Sequence, residues 1–202
     1  MRIPGILTDL ATQLLNEFEG KVQQALSQPQ IVPAGQIVPV TLPMPVLELA
    51  WVENIKKELG VAELPYPANN PRIIWYDTFT TLRATYESVS WCSAFMNAML
   101  ITSGIEGTRS AAALDWINQK WGIELKYAVH GCLAIWDWGN GHGHVACVME
   151  ANEQGLIVIG GNQRDKGVDK VCQKMFPWSL PPVSFKWPKD VPLPAGAEVD
   201  NS

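Results

Sequence analysis

The chain is predicted to fold as an α+β domain, with helices packed on one face of an antiparallel sheet. Three observations carry this. Apolar residues recur at helical spacing from residue 47 to about 120. From Cys132 onward, short runs of strand formers replace them, separated by turn residues. The connections between those runs are too short for crossovers, so neighbouring strands must run antiparallel.

The elements follow in order. Residues 1–28 read as an amphipathic helix: Ile6, Leu10, Leu14, Leu15, Phe18, Val22 and Leu26 share one face, and Pro4 suits a first turn. Residues 29–45 form a Pro-rich linker, with prolines at 29, 33, 39, 43 and 45. The main domain is expected over 46–188. It opens with a helix over 47–59, which has Leu47, Ala50, Trp51, Ile55 and Leu59 on one face and Gly60 as its C-cap. A short apolar segment over 73–79 has a helical pattern. Ser90 is placed to cap a third helix whose Phe95, Met96, Met99 and Leu100 face the core. A fourth helix is expected over 111–120. Strands are expected over 132–138, 145–149 and 156–159, with turns at Gly139-Asn140-Gly141 and at 152–155. Segments 168–175 and 183–187 would add edge strands. The tail, 189–202, reads as loose.

Composition narrows the function. The chain has 202 residues, 47% of them hydrophobic, enough for one well-filled domain and an appendage. Its nine tryptophans point to a dense core, an aromatic groove, or both. A net charge of −5 argues against nucleic acid, which requires clustered Lys and Arg. No apolar run has the length of a membrane span, and residues 1–15 do not read as a signal peptide. The protein is therefore expected to be made in the cytoplasm and, if it acts outside, to be released or delivered. Cys132, Cys147 and Cys172 read as reduced, mostly buried thiols.

Cys92 stands apart because it opens a helix. There the unpaired amides and the positive end of the helix dipole favour thiolate, the nucleophilic form. A base must take its proton, and a third group must fix the tautomer of that base. His144, at the start of the second strand, is the candidate base, and His142 in the preceding turn is its rival. By strand alternation His144, Ala146 and Val148 share one side, the side expected to face the Cys92 helix. Asn162, after Gly160-Gly161, is the candidate orienter, with Gln163 competing. Trp91, Ser93, Gln163 and His142 are candidates for binding substrate or the oxyanion. A zinc set of Cys132, His142, His144 and Cys147 fits no standard ligand spacing.

Trp91-Cys92-Ser93-Ala94-Phe95 with Asn97, Gly107-Thr108 with 111–116, Gly143-His144-Val145 and Gly160-Gly161-Asn162-Gln163 occur in order. Ahead of them lie Trp51, Leu59-Gly60-Val61, Glu63, Asn70-Pro71, Ile74 and Tyr76. In this set the chain resembles the papain-like peptidoglycan hydrolases of the NlpC and CHAP kind, particularly a phage endolysin-type subgroup. The resemblance spans about 47–187. It implies a papain-like cysteine hydrolase fold, Cys92 as nucleophile, His144 as base, Asn162 as orienter and no metal cofactor. The expected activity is cleavage of an amide in the cell-wall peptide stem, with the muramoyl–alanine amide as second choice, by a phage lysin or a secreted antibacterial effector. Residues 1–45 lie outside the resemblance and suit docking to a delivery partner or an immunity protein. One departure is Gly131-Cys132, where the family usually has Gly-Asp. Two alternatives stand beside this: a non-catalytic virion or wall-binding module with an inert cysteine, and a Cys-dependent acyltransferase.

Overall fold

A computed structural model describes residues 49–201. The helix expected over 1–28 and the linker over 29–45 lie outside the described residues. The chain divides at 46/47, and the described residues belong to the second unit.

Among the described residues four helices precede or flank the sheet. Helix α1, Ala50–Lys57, buries Trp51, Val52 and Ile55, the i, i+1, i+4 stripe of an amphipathic helix on a core. Helix α2, Pro71–Asp77, starts with proline at its first position, and the Asn70 side chain accepts from Arg72 N–H at 2.9 Å. Helix α3, Cys92–Thr102, is buried from Cys92 through Leu100 and is therefore the central helix, apolar nearly all round. Helix α4, Asp115–Asn118, is a single turn, shorter than the helix expected over 111–120. Ser110 Oγ accepts from Ala112 N–H and diverts the chain before it, and the left-handed Lys120 and Gly122 end it.

Six strands among the described residues form one antiparallel sheet: β1 Ile123–Glu124, β2 Leu133–Gly139, β3 His142–Ala151, β4 Gly155–Asp165, β5 Val168–Pro177 and β6 Ser184–Trp187. The order is β1-β6-β2-β3-β4-β5. Strands β2 to β5 are the expected meander. Its first turn uses Asn140 and Gly141, both at positive φ, the conformation a tight hairpin needs. The expectation of an outer strand at 183–187 is corrected: β6 sits inside, between β2 and β1, and the two-residue β1 was too short to read from sequence. The tail is likewise not loose throughout. Leu125 bridges Val199, Lys126 N–H donates to Glu198 O, and Asp200 N–H donates to Glu124 O.

Helix α3 lies against β3 and β4, α1 packs on α3 and β4, and α2 packs on α3, over one apolar core. Trp91, Trp116, Trp136 and Trp187 are fully buried, and Trp51 packs edge-on to Trp187 at 5.5 Å. All four cysteines are free thiols; Cys172 alone is only half-buried. Among the described residues no helix is long and apolar enough to cross a membrane.

Candidate active site

The start of α3 is held at three points, all on Trp91. Its indole N–H donates to Glu63 Oε1 at 3.0 Å. Its ring stacks on Tyr76 at 5.9 Å, and Tyr76 in turn donates to Glu58, which pairs with Arg72. Its backbone N–H donates to Asn162 Oδ1 at 3.3 Å, so the helix start is tied to β4. Gly161 allows this approach, since a Cβ there would run into Trp91 and Phe95. The N-cap position is Trp91 rather than the expected Ser90, and no side chain of the cap residue itself makes a capping bond.

This places Cys92 against β3. The backbone N–H groups of Val145, Ser93 and Cys92 face its sulfur. Burial nevertheless dominates and pushes the thiol above its ordinary value, against those three amides. The residue is only 4% exposed.

His144 precedes Val145 and is 3% exposed. Its ring lies parallel to Trp138 at 5.6 Å, with Phe176 at 5.9 Å and Trp136 at 5.8 Å. Trp136 is its direct partner across the β2–β3 ladder. The ring Nε2 lies 3.2 Å from Gln163 Oε1. The other end of that amide donates to Gly160 O and Cys172 O. Two carbonyls thus fix the amide nitrogen, the amide oxygen must accept, and Nε2 must carry the proton. Nδ1 is left as the basic nitrogen. Burial pushes the imidazole down to about 4, Lys174 adds to the push, and the Gln163 bond opposes it. Around neutral pH the two groups are a neutral thiol and a neutral imidazole. Among the described residues no direct hydrogen bond joins them; the Val145 N–H that favours the thiolate belongs to the residue after His144.

The expectation that the His144 side of β3 faces the Cys92 helix is corrected: Gly160, on the side of His144, meets Ala146, whereas Gly161, on the other side, meets Trp91 and Phe95 of α3, and the two amides exchange partners. Gln163, the competing orienter, meets His144; Asn162 holds Trp91 instead. The reason is a β-bulge. The β4–β5 register shifts between Gly160 and Gln163, with Asn162 at φ 56°. Regular alternation would put 160 and 162 on one side; one extra residue puts 160 and 163 there. Ala146 meets Gly160 on that side, as its close approach to a Cβ at Gly160 shows, while Gly161 points to α3. Ser93 is fully buried, donating to Ser110 O and accepting from the Trp116 indole, so its hydroxyl is committed to structure. Trp91 is fully buried as well. His142 heads β3 as an exposed residue. The aromatic cage around His144 was missed, although period two from the Asn140-Gly141 turn would have set Trp136 and Trp138 on the histidine's side. Among the described residues no cluster of three or more His, Cys, Asp or Glu is placed to hold a metal.

Comparison with family models, with curated proteins and with solved structures found no match for this chain. The functional reading therefore rests on the site.

Proposed function

We propose that the protein is a papain-like cysteine hydrolase that cleaves an amide bond of the peptidoglycan peptide stem. The observation that supports it most is a cysteine at a helix start whose sulfur faces the Val145 N–H, beside a histidine whose tautomer Gln163 fixes. In this reading His144 Nδ1 takes the Cys92 proton as the sulfur attacks the amide carbonyl. Backbone N–H groups at the helix start stabilise the tetrahedral oxyanion. The proton passes from Nδ1 to the leaving amine, the C–N bond breaks, and a thioester remains. Water, deprotonated by Nδ1, hydrolyses the thioester and restores the thiol. A lowered imidazole pKa keeps the base unprotonated over most of the pH range, and a neutral pair makes the ion pair only when substrate is present.

The test is digestion of purified peptidoglycan by wild type and Cys92→Ala, with products read by mass spectrometry. New amine and carboxylate termini are expected with wild type and none with the variant. Equal products from both would remove the thiol mechanism.

One observation favours a second reading. Cys92 and His144 are both almost fully buried, which suits an inert module that binds the wall without cutting it. Catalysis needs the cage to open, and Trp138, 53% exposed, is its solvent-side wall. Wall binding with no cleavage product under any condition would decide for the module.

A further inference from the structure

A separate cleft lies where three loops converge: 105–108 after α3, 119–122 after α4 and 188–190 after β6. Its volume is about 220 Å³. That is below the roughly 300–1,000 Å³ that takes drug-sized ligands and suits a single ring. Its walls are fixed. Trp121 is oriented by an indole N–H bond to Glu106 O at 2.7 Å and by edge-on packing against Trp116 at 4.8 Å. A Cβ at Gly107 would collide with Asn97 Oδ1, and one at Gly122 with Trp187 O.

The lining combines this aromatic wall with groups free to bind. Glu106, Lys120, Lys189 and Asp190 line it, and among the described residues none of the four makes an ion pair or a side-chain hydrogen bond. Their charges cancel. A net-neutral, hydrogen-bonding lining with an indole wall selects an uncharged ligand with polar edges and an apolar face. An anion or a cation would meet like charge as often as opposite charge. That description is a pyranose ring, and an added acetamido group gives the lysines a carbonyl to donate to.

We infer that this cleft binds an N-acetylhexosamine ring. That the ring belongs to a wall glycan strand rests on the hydrolase reading above; the sugar site itself does not. Asn97, whose side chain shapes the cleft through Gly107 and Thr108, stands five residues along α3 from Cys92, or roughly 7–8 Å of axial rise.

The experiment is calorimetric titration of the full-length chain with a tetramer of N-acetylglucosamine, and in a parallel arm with a sugar-free stem peptide. Saturable tetramer binding is expected, with Kd on the order of 1 mM. Lys189→Ala and Gln119→Ala, both at exposed positions, should each weaken it several-fold while thermal unfolding stays unchanged, and Trp121→Phe should weaken it with the aromatic packing largely kept. Absence of saturation, or tetramer binding that all three variants leave unaltered, overturns the inference. So does stem-peptide binding that the same variants abolish, which would make the cleft a peptide site. Wall digestion is scored separately. Tetramer binding lost in these variants, without any cleavage by wild type, upholds the sugar site and removes the catalytic reading. Cleavage without tetramer binding does the reverse.

Discussion

Lowering the pH from 7 to 4 should show how far the fold refuses a proton at His144, and the size of the effect follows from burial. His144 titrates at about 4 in the fold against an ordinary 6.5. Between those values the unfolded chain binds a proton that the native state refuses, so stability falls as pH falls. At about 1.4 kcal/mol per pH unit the loss is about 3 kcal/mol by pH 4. Asp77 acts in the opposite sense. It is fully buried, neither carboxylate oxygen has a hydrogen-bond partner among the described residues, and burial pushes it to about 6 from 3.8. Native Asp77 takes up its proton first, so this group adds about 3 kcal/mol of stability as pH falls through that window. The two contributions nearly cancel in wild type, and single variants expose each. His144→Gln keeps an amide donor toward Gln163 but does not titrate. Relative to wild type it should gain about 3 kcal/mol on going from pH 7 to pH 4. Asp77→Asn should lose a similar amount. The assay is urea unfolding of the three proteins at both pH values, read as double differences so that other groups drop out. A His144→Gln curve parallel to wild type would refute the neutral, buried imidazole. A double difference of opposite sign would mean that the fold raises the histidine's affinity for a proton instead of lowering it.

The exchange of roles between neighbouring amides can be measured directly. Gln163→Ala should lower turnover on wall fragments about 10- to 100-fold with little change in KM, because the base loses its tautomer lock. Asn162→Ala should instead cost about 1–2 kcal/mol of stability from its left-handed backbone, and Asn162→Gly less, by urea unfolding. A larger loss of turnover from Asn162→Gly than from Gln163→Ala would restore Asn162 as orienter. Cys92 should alkylate slowly with iodoacetamide at pH 7 and faster as pH rises past the ordinary thiol value of 9.0, read by peptide mass spectrometry. Fast labelling at pH 7 would contradict the burial argument. Deleting residues 1–45 should leave a folded protein that still cleaves soluble wall fragments, since the chain divides at 46/47. A precipitating or inactive truncation would place that segment within the working domain.

Much of this protein is written locally. The helix at Cys92, the Asn140-Gly141 hairpin and the β2 to β5 meander follow from periodicity and turn residues, which act over a few positions. The cysteine at a helix start and a histidine at a strand start were legible for the same reason. What sequence could not supply depends on contacts between distant residues. Strand β6 enters the sheet between β2 and a two-residue β1, a choice made by long-range pairing. The bulge at 160–163 reverses which amide reaches the imidazole, because one extra residue turns the following side chains to the other face. The resting protonation of the pair was also a tertiary matter. A helix start favours thiolate, but burial of both groups outweighs it, and burial is set only when the sheet, α3 and the aromatic cage close together.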